Sequence, residues 1–276
     1  MLRTLNQAHL PYLVGGAFAL AEHTGIYRLT KDLDIMVRPR DCGRVLALFS
    51  AAGYATEVTD PVWLAKVTSD DGTYLDVLFR SGNAVCEVDN EWFAHARPGI
   101  VMGQPVMFAP PEEIVWTKAF VMERDRYDGA DVAHYFLAVG DSLDWPRLLR
   151  RFGEHWRVLL SHLVLFGFVY PGRRDRLPAW VMAELTGRLA AEASAPAAAA
   201  EADLCRGTLL SRSHYLMDVG SRGFRDPRFI ARGTITSRQA RSWKALAQRD
   251  RARLLHAAGL VPDPPTSPPR GPGRPR

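Results

Sequence analysis

Two aspartates stand two residues apart in a short apolar stretch, and this feature constrains the fold more than any other. The stretch Val14–Val37 reads VGGAFALAEHTGIYRLTKDLDIMV, in which Asp32 and Asp34 alternate with Leu33 and Ile35. Residues i and i+2 of a strand share a face, so the two carboxylates project together while the leucine and isoleucine point to a core. An ionised carboxylate in an apolar setting is costly unless something pairs with it. The pair therefore either faces solvent or holds a cation.

Strand and helix patterns alternate up to about residue 140 and predict an α+β domain with a mixed sheet over residues 1–140. PYLV and LDIMV are apolar strands, and the helix AFALAEHTG between them ends at Gly25. Asp71-Gly72 between VWLAKVT and TYLDVLF predicts a hairpin, and IVMGQPVMFA predicts a looser one. A helix begins at PPEEIVWTKAFVMER, with proline and acids in its first turn, and another begins near Ala130.

After Asp141 the strand patterns fade, which predicts a helical domain over residues 141–256. DWPRLLRRFGEHWRVLLSHLVLF, LPAWVMAELTGRLAAEA and DPRFIARGTITSRQARSWKALAQRDRARLLHAAG supply its predicted helices. The segment CRGTLLSRSHYLMDVG resembles a motif but indicates no chemistry by itself. Residues 257–276, rich in proline, glycine and arginine, predict a disordered tail.

Charge and cysteine content exclude several classes of protein. The formal net charge is +5 with a pI near 9.3, and residues 256–276 carry +2 of it, so the remainder is too weakly basic to indicate a nucleic-acid binder. Three widely separated cysteines predict neither a disulfide framework nor a thiolate metal site, and they fit a reducing cytoplasm. The N-terminus lacks a signal-peptide pattern, and the longest apolar run is too short for a bilayer, so we expect no membrane association.

A third aspartate can join the first two. Asp76 alternates with Leu75 and Val77 in TYLDVLF, so it projects from the face of its own strand that is opposite to those two apolar residues. If this strand neighbours the one that carries Asp32 and Asp34, the three carboxylates can meet. Hard divalent cations such as Mg²⁺ prefer oxygen ligands and share carboxylates with substrate phosphates. Three carboxylates can hold two such ions about 3.5–4 Å apart, an arrangement that serves phosphoryl or nucleotidyl transfer.

A glycine pair, Gly15-Gly16, precedes the aspartates at a strand-to-helix turn. Glycine allows the backbone to approach a ligand closely, and the helix that follows presents N–H groups and partial positive charge to a phosphate. Alone, a glycine pair is usually a simple turn, and a lone D-x-D is usually a solvated strand end. Their order along one chain favours a phosphate cradle followed by a metal-binding strand.

These residues resemble the nucleotidyltransferase superfamily, which has the fold of DNA polymerase beta. The resemblance rests on a glycine pair, a spacer, R-x-T-x-D-x-D and a later strand aspartate; the matching positions are Gly15, Gly16, Arg28, Thr30, Asp32, Asp34 and Asp76. It implies that Asp32, Asp34 and Asp76 are catalytic and hold two Mg²⁺ ions. It also implies that Gly15, Gly16, Arg28 and Thr30 bind the nucleotide.

A second stretch, KAFVMERDRYDGADVAHYF, resembles AbiEii-type nucleotidyltransferases, the toxins of type IV toxin–antitoxin systems. The matching positions are Lys118, Arg124, Arg126, Asp128 and Asp131, with an arginine at 126 where that family has lysine. Lys118 is accordingly a candidate catalytic cation, and Arg124, Arg126 and Asp128 are candidate nucleotide-binding residues. The alternatives are that Arg124 and Arg126 hold Asp128 in place, that the stretch is a solvated, self-neutralising helix end, and that the lysine snorkels past apolar neighbours.

The resemblance implies an enzyme that moves a nucleoside monophosphate from a nucleoside triphosphate to a hydroxyl group of RNA or protein, and that acts as a toxin with an antitoxin partner. Asp76 would accept the proton of that hydroxyl while pyrophosphate leaves. Two other functions stay open. One is an antibiotic-modifying nucleotidyltransferase with a small-molecule acceptor; the other is a non-catalytic binding protein of the same fold.

Overall fold

A mixed β-sheet forms the scaffold of the computed structural model, which describes residues 1–30, 32–194 and 201–257. Its strands are β1 (Leu13–Val14), β2 (Asp32–Met36), β3 (Ala55–Asp60), β4 (Leu64–Thr68), β5 (Tyr74–Leu78), β6 (Arg97–Val101) and β7 (Gln104–Phe108). Within the described ranges the strand order is β3-β4-β5-β2-β1-β7-β6. Strand β2 runs parallel to β5 and antiparallel to β1, so it lies near the middle of the sheet. This arrangement confirms the predicted α+β class with a mixed sheet.

Helices cover the sheet and form most of the second half of the chain. They are α1 (Leu2–Gln7), α2 (Gly16–Thr24), α3 (Pro39–Ala51), α4 (Asn90–Ala94), α5 (Pro111–Ala119), α6 (Gly129–Val139), α7 (Trp145–Phe152), α8 (Trp156–Val169), α9 (Ala179–Ala193), α10 (Leu216–Ser221) and α11 (Ser237–Ala257). None of the described helices combines the length and apolar character that crossing a bilayer requires.

Local sequence patterns predicted several of the elements around the site correctly. Helix α2 ends at Gly25, whose left-handed φ of 74° matches the predicted glycine C-cap. Strands β4 and β5 form the predicted hairpin, with Gly72 at a φ of 81° in its turn. In β2, Ile35 is fully buried and Leu33 is partly buried, as the alternation of the sequence predicted.

Other segments differ from the sequence expectation. Strand β3 was missed because it is a largely exposed edge strand with the polar sequence ATEVTD. The helix predicted to continue through VMER ends at Ala119, because residues after Phe120 turn back and Asp128 N–H donates to the Val121 carbonyl. In the segment that begins at Asp226, α11 starts only at Ser237, after a short 3₁₀ turn.

One hydrophobic cluster spans both halves of the chain. It joins buried residues of the sheet, such as Ile35 and Val77, to buried residues of α7 and α8, such as Leu148 and Phe166. A smaller cluster joins Trp243 of α11 to the region before β4. The division at residues 140 and 141 stays a prediction. The predicted tail lies, apart from Ala257, outside the described residues.

Candidate functional site

The parallel pairing of β2 with β5 brings the predicted carboxylates together on one sheet face. Asp34 lies directly opposite Asp76, and Asp32 lies opposite Tyr74. Because alternate residues of a strand share a face, Asp32, Asp34 and Asp76 all project to the same side. The two strands are thus neighbours, which is the condition under which these three side chains can meet.

The glycine pair places the start of α2 against Asp34. The Gly15 N–H donates to the Asp34 carbonyl at 2.9 Å. Gly16 has a φ of +54°, and a Cβ atom there would overlap the Asp34 carboxylate. Only glycine satisfies both the left-handed backbone and this close approach. The pair therefore fixes where the Asp34 side chain lies.

Asp34 carries the most perturbed carboxylate of this face. Burial raises its pKa to about 6, and the charges of Asp76 and Asp32 act in the same direction. The charges of Lys118 and Arg126 oppose the increase. A buried carboxylate beside two others favours either a proton or an added cation.

A lysine that the sequence analysis did not select is bound to Asp76. Lys66 of β4 lies opposite Asp76, and its Nζ donates to Asp76 Oδ1 at 2.8 Å. The same ammonium lies 4.5 Å from the ring centroid of Tyr74, a cation–π contact. The chain has only four lysines, Lys31, Lys66, Lys118 and Lys244. Their scarcity, and the position of Lys66 in an apolar strand, was the available signal.

The predicted cations lie in a connected ion-pair cluster beside this face. Lys118 pairs with Asp128 at 3.0 Å and with Asp131 at 2.7 Å, and its side chain is only 16% exposed. Arg126 makes a two-pronged contact with Asp128, and Arg28 pairs with Asp131. Although burial acts to raise the pKa of Asp128, the hydrogen bond from Arg126 and the charge of Lys118 hold it below its ordinary value. Lys118 is thus engaged by carboxylates, rather than snorkelling to solvent.

Two of the predicted nucleotide-binding residues have other surroundings. Thr30 exchanges hydrogen bonds at 3.1 Å with the backbone N–H and carbonyl of Asp32, so its observed contact shapes the start of β2. Arg124 is exposed in the loop between α5 and α6, two residues from Arg126. Nucleotide binding by these residues stays a prediction.

A cavity of about 270 Å³ opens on Asp34 and Asp76, whereas Asp32 is not part of its lining. Its charged and polar lining includes residues from the sheet, from α5 and from two loops: Asp34, Asp76, Arg80, Ser81, Asn83, Thr117, Lys118, Glu123, Arg126, Asp128 and Arg212. Gly16 also lines it, so the glycine turn and the carboxylates share one space. Its size is near the lower end of the range for small-ligand pockets.

The donor set fits a hard divalent cation in charge but is not assembled into a complete site. Asp32, Asp34 and Asp76 offer only carboxylate oxygens, the ligands that Mg²⁺ prefers. Burial is the main cause of the raised pKa of Asp34, and the charges of Asp76 and Asp32, which an ion would offset, add to it. Yet among the described residues no three acidic, histidine or cysteine side chains are arranged to hold a metal ion. One Asp76 oxygen is engaged by Lys66. The predicted pair of Mg²⁺ ions therefore stays a prediction.

Comparison with known proteins finds a family match at the N-terminal part of the chain. Residues 1–93, about one third of the chain, match the model of the family described as aminoglycoside-2''-adenylyltransferase. This segment contains Gly15, Gly16 and all three aspartates. The match bears out the predicted class of enzyme, a nucleotidyltransferase, for this segment. A search of curated proteins finds no match.

Several solved structures are similar at low identity. The antibiotic-resistance factor ANT(2'')-Ia matches at 19% identity over 58% of this chain and 91% of that chain, with a TM-score of 0.41. The lincosamide antibiotic adenylyltransferase LnuA matches at 15% identity over 49% and 90%, with a TM-score of 0.36. An antigenic nucleotidyltransferase-like protein from Paracoccidioides brasiliensis matches at 16% identity over 58% and 87%, with a TM-score of 0.33. With TM-scores below 0.5, these similarities carry no weight for this chain.

Proposed function

We propose that this protein transfers a nucleoside monophosphate from a nucleoside triphosphate to a hydroxyl group of a small molecule, with aminoglycoside antibiotics as the first acceptor class to test. The observation that carries the proposal is the register of Asp34 and Asp76 across β2 and β5, beside Gly16 and inside one cavity. The family match over residues 1–93 supports the adenylyl-transfer chemistry and the antibiotic acceptor.

The carboxylates hold the reacting groups in this proposal. Asp34 and Asp76, with Asp32 beside them, would bind Mg²⁺, which supplies positive charge to neutralise the phosphates. Asp76 accepts the proton of the acceptor hydroxyl, whose oxygen bonds to the α-phosphorus as the bond to the β-phosphate breaks and pyrophosphate leaves. Lys66 occupies one Asp76 oxygen at 2.8 Å, so the other oxygen is the one proposed for this proton.

The glycine turn and the ion-pair cluster position the nucleotide. Gly15 and Gly16 let the phosphates approach the first turn of α2, where unpaired N–H groups and the helix dipole favour negative charge. Lys118 and Arg126 act on Asp34 through their charge, which opposes the rise in its pKa. Their carboxylate partners, Asp128 and Asp131, hold both cations in place. Most of the rate enhancement is thus positioning and electrostatics.

A small-molecule acceptor suits the size of the site. Asp34 and Asp76 face a cavity of about 270 Å³, a volume that accommodates part of a small molecule. The toxin role, an RNA or protein acceptor and an antitoxin partner stay predictions from the AbiEii resemblance. The family match favours the alternative with an antibiotic acceptor.

The deciding experiment is a labelled-transfer screen. Purified protein is incubated with Mg²⁺ and each nucleoside triphosphate labelled at the α-phosphate, and separately with an aminoglycoside panel, a lincosamide panel and total RNA. We expect label on a small molecule, a loss of about 100-fold or more in Asp34→Asn, and normal transfer in Asp175→Asn. Asp175 is an exposed aspartate outside the lining of the cavity, which makes it a matched control.

The other outcomes separate the remaining functions. Label on RNA alone would replace the small-molecule proposal with the toxin-type activity. Binding of a nucleoside triphosphate without transfer to any acceptor would support the non-catalytic alternative. Thermal unfolding of Asp34→Asn shows whether lost transfer reflects chemistry, because an amide of the same shape should keep the protein folded.

A further inference from the structure

The motif-like segment Cys205–Gly220, which no predicted function used, contributes to the wall of the carboxylate cavity. A 3₁₀ turn at Arg206–Leu209 buries Thr208 and Leu209, and the loop that follows lines the cavity with Leu209, Leu210 and Arg212. This loop comes from the second half of the chain. The cavity is thus completed by a segment more than 100 residues beyond the three aspartates.

Four hydrogen bonds hold this loop in one place. Asn83 Nδ2 donates to the Leu209 carbonyl at 2.8 Å, and the Met122 N–H donates to the Leu210 carbonyl at 3.1 Å. Glu123 accepts from Ser211 Oγ at 2.5 Å and from the Arg212 N–H at 2.8 Å. Both carboxylate oxygens of Glu123 therefore accept hydrogen bonds from the loop. The negative charge of Glu123 thus lies beside the backbone N–H of Arg212.

The Arg212 guanidinium is less engaged than the other cations that line the cavity. Lys118 and Arg126 bind Asp128 at 3.0–3.1 Å, and Arg80 is buried with donors committed to the Val62 carbonyl and Glu87. The closest approach between Arg212 Nε and Glu123 Oε1 is 3.5 Å, and the Arg212 side chain is 54% exposed. It thus combines a fixed backbone with donors that can reach a ligand.

We infer that Arg212 binds the polyphosphate chain of the nucleotide substrate in the carboxylate cavity, an inference that rests on the proposed function. A planar guanidinium recognises phosphate oxygens through paired charge-assisted hydrogen bonds. The neighbouring carboxylates Asp34 and Asp76 give a triphosphate no donors of their own. A cation that lines the same cavity supplies them and also stabilises the departing pyrophosphate. Glu123 is a positioning residue, since it orients the loop that carries Arg212.

A second cavity gives this arginine one competing role. A cavity of about 370 Å³ against α11 shares Trp63, Gly82 and Arg212 with the carboxylate cavity, and its own lining includes Phe229 and Trp243. Arg212 at this junction could contact an acceptor molecule instead of the phosphates. The experiment separates these two roles.

The test measures equilibrium binding of nucleotides, without turnover. Titration calorimetry with Mg²⁺ compares each nucleoside triphosphate and its monophosphate in the wild type, Arg212→Gln, Arg212→Lys and the control Arg222→Gln. Arg222 is also exposed and paired with one carboxylate, Asp218 at 3.0 Å, but it lies outside both cavity linings.

We expect Arg212→Gln to weaken triphosphate binding about 10- to 100-fold, the range for losing hydrogen bonds to a charged group. The triphosphate affinity of Arg212→Lys should lie between those of the wild type and Arg212→Gln. Monophosphate affinity should change less than about twofold, and the control Arg222→Gln should match the wild type. Thermal unfolding should be unchanged in all variants, because the backbone bond to Glu123 is kept.

Several results would overturn the inference. The inference is wrong if the wild type binds a nucleoside triphosphate and Arg212→Gln binds it with the same affinity. An equal loss for monophosphate would show that the contact is not to the polyphosphate. Unchanged nucleotide affinity by calorimetry, together with a raised acceptor KM of Arg212→Gln in the labelled-transfer assay, would assign Arg212 to the second cavity. If the wild type binds no nucleoside triphosphate, the proposed function itself fails, which is a distinct result.

Discussion

Replacing Gly16 by alanine tests whether the glycine turn positions Asp34. The variant faces two costs. The first is the left-handed backbone at φ +54°, which costs a residue with a Cβ about 1–2 kcal/mol. The second is the overlap of the new Cβ with the Asp34 carboxylate, which forces that side chain from its rotamer at about 0.5–1.5 kcal/mol. Together they predict a loss of about 1.5–3.5 kcal/mol in the free energy of unfolding.

The chain offers two glycines that separate these costs. Gly25 has a φ of +74° but nothing within 4 Å of an added Cβ, so Gly25→Ala has the backbone cost alone. Gly43 is exposed within α3 and also has open space, so Gly43→Ala should stabilise by about 0.5–1 kcal/mol. Urea unfolding of the three variants measures the overlap with Asp34 as the difference between Gly16→Ala and Gly25→Ala.

Transfer activity provides the second readout. A displaced Asp34 should lower nucleotidyl transfer about 100-fold in Gly16→Ala, because misplacement by about 1 Å can have this effect. Gly25→Ala and Gly43→Ala should keep wild-type activity. If Gly16→Ala loses no more stability than Gly25→Ala and retains transfer, the glycine does not position the carboxylate and our account of the turn is wrong.

Three further predictions concern the charged groups. Lys66→Met removes the cation 2.8 Å from Asp76 and should lower transfer about tenfold. Its free energy of unfolding should change by less than about 1 kcal/mol because the pair is partly exposed; an unchanged rate in the labelled assay would remove Lys66 from the mechanism. Arg147→Met leaves the buried carboxylates of Glu112 and Glu113 without the guanidinium at 2.6 and 3.1 Å. Chemical denaturation should show a loss of about 3–5 kcal/mol, and a loss below about 1 kcal/mol would contradict the buried network. Burial raises the pKa of Glu113 from 4.5 to about 7, against the charge of Arg147. The folded state then retains a proton that the unfolded state releases, so stability should fall as pH rises from 4.5 to 7, by at most about 1.4 kcal/mol per pH unit, and level off above. The slope should flatten in Glu113→Gln, and an equal slope in that variant would assign the effect to another group.

Local sequence patterns predicted the parts of the site that depend on neighbours in the chain. The two-residue period of LDIMV placed Asp32 and Asp34 on one face, and the glycine pair at the start of α2 marked the turn that contacts Asp34. The hairpin signal at Asp71-Gly72 placed Asp76 in a strand. These features follow from backbone geometry over a few residues, which a sequence states directly.

Contacts between distant segments were decided only by the tertiary structure. The sequence did not show that Lys66 would bind Asp76, since that contact depends on the register of β4 and β5. It suggested Lys118 and Arg126 as ligands for a nucleotide and left open that Arg126 holds Asp128, but the pairing of Lys118 with Asp128 and Asp131 appears only when the loop before α6 folds back. The loop that carries Arg212 is held at the cavity by hydrogen bonds to Glu123, about 90 positions earlier in the chain. The sequence by itself determined which carboxylates of β2 share one face of the sheet, because alternation along a strand is local. Tertiary packing determined which cations pair with carboxylates and brought Arg212 into the lining of the cavity, because burial and pairing arise from surfaces that meet only in the folded chain.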